Sequence, residues 1–185
     1  MARYAMVIDL KKCVGCQACT VACSSEWEVP AGFARTHVRA TGATGAFPNL
    51  QSTFYVAQCN HCDHPACVPP CPTGATYQAE NGIVKVDREL CIGCGYCVEA
   101  CPYGARYIHP VLKKVDKCDF CFNSRLSKGE KLTACAAACP AKCRIFGDLS
   151  DAGSEVFRTV HNLEKTVWVL RPEAGAKPNV FYTKG

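Results

Sequence analysis

Sixteen of the 17 cysteines in this chain of 185 residues fall into four sets of four, and any fold the sequence adopts must give those sets a common purpose. The first set is Cys13, Cys16, Cys19 and Cys23, spaced C-x2-C-x2-C-x3-C. The second, Cys59, Cys62, Cys67 and Cys71, has a wider middle gap, and the third, Cys91, Cys94, Cys97 and Cys101, repeats the spacing of the first. In the fourth, thirteen residues separate Cys118 and Cys121 from Cys135, and Cys139 closes the set with the usual three-residue gap. Proline follows Cys71, Cys101 and Cys139, where it fixes φ and turns the chain away.

A disulfide scaffold is a poor reading of this pattern. Such scaffolds scatter an even number of cysteines between loops behind a secretory signal, whereas here the total is odd and the N-terminus MARYAMVIDLKK has no apolar run of signal length. Zinc is the next rival, because paired C-x2-C units also build tetrahedral S4 sites. Zinc sites use two separated pairs, while the first and third sets each place four cysteines in eleven residues. That spacing belongs to 4Fe-4S clusters: three thiolates two residues apart wrap three iron corners, and a fourth lies at a helical turn pointing toward a second cluster. Histidine ligation is excluded, since every ligand position is a cysteine and His61 and His64 stand beside cysteines as loop hydrogen-bond donors or surface.

Applied as a rule, the crossover of fourth cysteines pairs the sets. Cys59, Cys62 and Cys67 take Cys101, while Cys91, Cys94 and Cys97 take Cys71. Cys139 completes the cluster of Cys13, Cys16 and Cys19, and Cys23 completes that of Cys118, Cys121 and Cys135. Residues 53–110 then form an inserted unit inside a split unit made of 1–52 and 111–150, with 151–185 as a C-terminal helix and tail. Near copies support duplication: Cys71-Pro-Thr-Gly-Ala-Thr-Tyr and Cys101-Pro-Tyr-Gly-Ala-Arg-Tyr each lead from a cysteine helix into a short strand. Strands are predicted over Tyr4–Leu10, Phe54–Gln58 and Cys143–Leu149, and a hairpin joins Ala75–Gln78 to Ile83–Val86 across Asn81-Gly82. One helix is predicted from a Ser150 cap through Val156, Val160 and Leu163.

The formal charge of +5 would suggest a nucleic-acid partner, but four clusters at about −2 each take the loaded protein to about −3. Nucleic acid is therefore excluded, and Lys113, Lys114, Lys117, Arg125, Lys128, Lys131, Lys142 and Arg144 around the fourth set read either as counter-charge or as a solvated basic face with no role. No stretch approaches the roughly 20 apolar residues of a transmembrane helix. Neither paired carboxylates nor a spare ligand set marks a catalytic centre. The backbone N-H groups around Gly15, Gly93 and Gly95 can approach cluster sulfurs. Trp27, Phe33, Phe47 and Tyr55 are candidates either for a partner surface or for ordinary packing.

The chain resembles the four-cluster ferredoxin-type subunits of molybdopterin oxidoreductases, especially those of polysulfide and thiosulfate reductases. The resemblance is carried by Ala5-Met-Val-Ile-Asp-Leu before C-V-G-C-Q-A-C-T-V-A-C, by Gln58-Cys-Asn-His-Cys, Cys101-Pro-Tyr-Gly-Ala-Arg-Tyr, Lys117-Cys-Asp-Phe-Cys and Phe146-Gly-Asp-Leu, and by Leu170-Arg-Pro-Glu and Asn179-Val-Phe-Tyr near the C-terminus. It implies an α+β fold of two bacterial-ferredoxin-like two-cluster domains, with short β-hairpins, short helices and irregular loops around the clusters. It also implies a non-catalytic electron-transfer subunit joining a molybdopterin-containing catalytic subunit to an integral membrane quinone-binding anchor. Membrane association would come through these partners, on the periplasmic side by co-export with a twin-arginine partner or on the cytoplasmic side. The segment from Phe122 to Ala134 is about two residues longer than in those relatives. Cys143 also resembles a cysteine of the polysulfide-type relatives but has no ligand position in the motif, and reads either as a free thiol or as an exchangeable ligand or redox thiol. Anaerobically prepared protein should contain about sixteen irons and as many acid-labile sulfides per chain; a far lower count without sulfide overturns the cluster reading.

Overall fold

The computed structural model describes residues 2–184. The chain runs β1 (Tyr4–Asp9), α1 (Ala18–Trp27), β2 (Thr36–Thr44), β3 (Gln51–Gln58), β4 (Thr76–Gln78), β5 (Val84–Val86), α2 (Tyr96–Glu99), β6 (Arg106–Ile108), β7 (Val115–Lys117), α3 (Ala134–Ala137), β8 (Arg144–Asp148), α4 (Glu155–Val160), β9 (Val167–Trp168) and β10 (Val180–Thr183). Short strands, short helices and long irregular connections make an α+β architecture.

β1 is the spine. Its run Ala-Met-Val-Ile is fully buried, and strand alternation sends those side chains to two different layers. Ala5 and Val7 pack against Val156 of α4, whereas Met6 and Ile8 join the larger core that holds Cys19, Cys118 and Cys135. β1 is central in a four-stranded sheet of order β8-β1-β10-β9, antiparallel to β8 and parallel to β10. Met6 thus stands between Phe146 and Val180 in register. The C-terminal segment is therefore a strand of the central sheet, tied also by the Tyr182 hydroxyl donating to the Val56 carbonyl at 2.7 Å.

Three two-stranded sheets complete the fold: β2-β3, β4-β5 and β6-β7. The β4-β5 hairpin forms at the predicted place, with Thr76 opposite Val86 and Gly82 at a left-handed φ of 79° in the turn. The β2-β3 hairpin is longer than the predicted strand, because its outer half is exposed polar and small residues that carry no apolar alternation.

Two local expectations give way. The helix cap is Ser154 and not Ser150: the Ser154 hydroxyl accepts from Phe157 N at 3.0 Å and donates to the Asp148 carbonyl, while Ser150 lies in the preceding turn against Asp148. α4 ends at Val160, so Leu163 falls beyond it and is fully exposed. The second cysteine set has no helix before Cys71-Pro72. Pro65, Pro69 and Pro70 remove donors and fix φ, leaving turns closed by Val68 N to Pro65 O and Cys71 N to Val68 O. Replacing Ser154 by Ala should lower stability by about 1 to 2 kcal/mol, since a cap is lost and a carbonyl loses its donor. Thermal unfolding of the loaded protein, followed by circular dichroism, measures it; an unchanged midpoint would contradict the cap.

Candidate iron-sulfur sites

The chain collects its cysteines around small cavities. One is lined by Cys59, Cys62, Cys67 and Cys101, together with Asn60, His61, Tyr103 and Arg106. A second is lined by Cys13, Cys16, Cys19 and Cys139, with Gly15, Gln17 and Cys143. In each, three cysteines of one set meet the last cysteine of another. The other cysteines are related less directly. Cys118 and Cys135 share a buried cluster, and the thiol of Cys23 on α1 interacts electrostatically with Cys135, Cys121 and Cys118. Cys91 and Cys97 share a core cluster with Cys71, where Thr76 N donates to Cys71 Sγ at 3.4 Å and Val115 N to Cys91 Sγ at 3.5 Å. Cys94 and Cys16 are exposed at the rims. Among the described residues, no three His, Cys, Asp or Glu side chains converge closely enough for a single metal ion.

Local backbone geometry opens these loops. Gly15 sits at φ 69° and Gly93 at φ 73°, where L side chains are strained. A Cβ on Gly93 would lie 2.0 Å from the Lys113 carbonyl oxygen, and one on Gly15 would meet the Phe54 ring at 2.3 Å. Gly95 at φ 83° starts α2, and Gln17 at φ 61° starts α1, so each helix begins between the second and third cysteines of its set and carries the third, Cys97 or Cys19.

The environment favours an anionic occupant. Burial pushes Cys62 up to about 12, with Cys59, Cys67 and Cys101 adding to the effect, and burial likewise pushes Cys23 up to about 12, helped by Cys135 and Cys121. Such thiols stay protonated until metal displaces the proton, so cluster insertion releases protons. Buried polar atoms await an acceptor as well: Arg106 Nε, Arg144 Nε and His61 Nε2 have no protein partner. Of the two readings the sequence offers for His61, hydrogen-bond donor or surface residue, burial removes the second. The residue is fully buried, stacked on Phe120 at 3.9 Å, and accepts from Val84 N through Nδ1 at 3.2 Å. Burial, then Lys117 and Arg106, hold it neutral, which leaves Nε2–H as a donor. His64 is exposed, in agreement with the sequence reading. The thiol sets, the cavities and the unpartnered donors all suit sulfide-bridged clusters.

A family model for the 4Fe-4S dicluster domain matches residues 50–149, and one for a 4Fe-4S binding domain matches residues 4–25. This chain therefore belongs to the 4Fe-4S dicluster family of iron-sulfur electron-transfer subunits. It carries four 4Fe-4S clusters and is not itself catalytic. Relatives of this iron-sulfur subunit include a tetrathionate reductase subunit of Salmonella typhimurium, 45% identical over 97% of this chain and 72% of the relative. The thiosulfate reductase electron transfer subunit PhsB of Salmonella typhi is 46% identical over 88% of this chain and 83% of its own length. A polysulfide reductase chain of Wolinella succinogenes is 41% identical over 97% and 93%.

The subunit's counter-charge is more selective than its sequence suggests. Of the eight basic residues around the fourth set, only Lys117 and Arg144 are buried. Lys113, Lys128, Lys131 and Lys142 face solvent, and Arg125 is engaged by Glu26 and Glu130. Arg125 Nε also donates to the Leu132 carbonyl at 3.0 Å, closing the long loop before Cys135. Two further buried arginines do not stand out in the sequence: Arg35, paired with Asp116, and Arg106, which donates to Cys67 Sγ at 2.8 Å. Arg106 is legible in principle as the repeat position of Arg144, each the fifth residue after a closing cysteine. Trp27 stacks under Arg35 at 4.0 Å and Tyr55 on Tyr182, so both are packing residues; Phe47 is exposed. Gly93→Ala should remove about four irons per chain, because backbone stands in the way, and Gly15→Ala should remove fewer, because the Phe54 ring can turn. Iron analysis of the two variants checks this, and equal full retention would contradict it.

Proposed function

We propose that the four cysteine groups of this electron-transfer subunit are Cys13, Cys16, Cys19 with Cys139; Cys118, Cys121, Cys135 with Cys23; Cys59, Cys62, Cys67 with Cys101; and Cys91, Cys94, Cys97 with Cys71. The observation that carries the reading is the shared lining of two cavities by three cysteines of one set and the last of another. Such a crossover also explains why each closing cysteine precedes a proline or a helix end, since the chain must leave one site to serve the next. On this reading residues 1–52 and 111–150 build one two-cluster unit around the inserted unit 53–110, while 151–185 braces the first through β10.

The groups follow one another in a row. Cys19 and Cys135 both approach Arg144, Cys118 lies near Cys59, and Cys67 and Cys97 both approach Arg106. The order is thus the group of Cys13, then that of Cys118, then that of Cys59, then that of Cys91. Each 4Fe-4S cluster supplies one-electron uptake and release. The protein's own part is to space the groups, exclude water from the buried thiols and direct N–H donors at them.

The row ends at exposed cysteines with apolar neighbours: Cys16 beside Val14 and Val21, and Cys94 beside Ile92 and Tyr96, all exposed. Apolar surface around a site that must exchange electrons fits contact with other subunits. We therefore assign one end to a molybdopterin-containing catalytic subunit and the other to a quinone-binding membrane anchor, in a respiratory complex of the polysulfide and thiosulfate reductase type. No helix among the described residues is long and apolar enough to cross a membrane, so membrane association comes through the anchor. The similarity to subunits of tetrathionate, thiosulfate and polysulfide reductases supports this reading.

Anaerobic purification of the tagged chain from native membranes should yield a complex containing iron and molybdenum. Recovery of the chain alone, fully loaded and stable, would instead make it a free polyferredoxin. Within the complex, Cys71→Ala should disturb the cluster of Cys91, Cys94 and Cys97 and spare that of Cys59, Cys62 and Cys67. The opposite pattern in electron paramagnetic resonance spectra would overturn the grouping. Cys143→Ser should keep the full iron content.

A further inference from the structure

Four cations are buried among the described residues: Arg35, Arg106, Lys117 and Arg144. Arg35 is ordinary, because Asp116 takes its Nη2 at 2.6 Å and its Nε at 3.0 Å, and Asp119 lies beyond. The other three have no carboxylate partner among the described residues. Arg144 donates to Gln58 Oε1 at 2.6 Å, to Thr36 Oγ1 at 2.7 Å and to Cys135 Sγ at 3.5 Å. Arg106 donates to Cys67 Sγ at 2.8 Å and to Thr76 Oγ1 at 3.2 Å. Lys117 gives its ammonium to the carbonyls of Cys118, at 2.6 Å, and Val84. A buried positive charge with only neutral acceptors is costly, so an anion must lie close by.

Placement says which anion. Arg144 contacts Cys135 directly at 3.5 Å, and its charge also interacts with Cys19. Arg106 contacts Cys67 directly at 2.8 Å, and its charge also interacts with Cys59 and Cys97. Lys117 holds the Cys118 carbonyl and acts on Cys67. Each cation therefore stands where two successive cysteine groups meet, one per junction along the row. The two arginines are equivalents under the internal repeat. Each follows its closing cysteine, Cys101 or Cys139, by five residues, and each anchors on a threonine that opens a strand, Thr76 of β4 or Thr36 of β2.

We propose that Arg144, Lys117 and Arg106 are junction cations, each a fixed positive charge shared by two neighbouring clusters that raises both midpoint potentials and weakens their mutual repulsion when either is reduced. The inference rests on the grouping of cysteines proposed above. Fixed charge in a low-dielectric interior acts on every anion near it, and donors to ligand sulfur add to the effect. A group at a junction must move two potentials together, whereas a merely structural residue moves none at full loading.

The test is potentiometric titration, followed by electron paramagnetic resonance, of the anaerobically purified complex carrying Arg144→Gln, Lys117→Met or Arg106→Gln, with signals assigned through Cys16→Ser and Cys94→Ser. Iron is counted in every sample. Arg144→Gln should shift downward the two clusters of the Cys13 and Cys118 groups, Lys117→Met those of the Cys118 and Cys59 groups, and Arg106→Gln those of the Cys59 and Cys91 groups. The lysine substitutions at either arginine should restore most of the shift. If a glutamine variant loses iron, retention by the lysine variant still supports the proposal, because charge is then what the clusters require. Iron loss in both, unchanged potentials at full iron, or one uniform shift of all four signals overturns it and leaves the grouping standing. A paired shift in clusters that are not neighbours in the row overturns the grouping itself.

Discussion

Everything in this small protein answers to the burial of negative charge. Four thiolate-ligated clusters bring about −8 into a chain of 185 residues, and the interior that receives them has too little volume to keep them far apart. An apolar core alone would make that charge prohibitively costly. The fold meets the constraint with backbone N–H groups of Thr76, Val115 and Phe120 aimed at cysteine sulfurs, with His61 held neutral as a donor, and with cations buried beside Cys67 and Cys135. The distribution of basic residues follows from the same need. Lys113, Lys128, Lys131 and Lys142 face solvent, while Arg106, Lys117 and Arg144 face inward.

This constraint also explains the economy of regular structure. Strands of three residues and helices of four would not be stable by themselves, and they persist because residues in or beside them pack into the same buried clusters as the cysteines. The exception is the central sheet, where β1 is buried on both faces and recruits β8 from one side and β10 from the other. That sheet gives Cys13, Cys19, Cys118 and Cys135 a packed backing through Met6, Ile8 and Phe146. The wiring function needs such backing, since electron transfer depends on fixed spacing more than on any moving part.

Function and stability are coupled in consequence. The thiols pushed up by burial are comfortable only as neutral groups or as metal ligands, so a chain that has lost its clusters keeps its core only by staying protonated. Cys16 and Cys94 are the exceptions, exposed where the other thiols are buried or half-buried. On the proposed reading, covering them with other subunits serves protection and electron exchange together.

The sequence by itself determined the cofactor, the cysteine sets and the existence of a duplicated unit, because ligand spacing along a short loop is a local property that no distant contact can alter. It also placed β1, the β4-β5 hairpin and β8, whose apolar runs and turn residues act locally. Tertiary structure alone decided which cations are interior, since Arg144 and Lys142 look alike in the chain and differ only in which way their strand and turn face. It alone turned the last residues into β10 and His61 into a buried donor, as both depend on partners more than a hundred residues distant, such as Asn179 donating to the His61 carbonyl. Spacing reads out what a segment can bind; only packing reads out what surrounds it, because burial is a property of the whole folded chain.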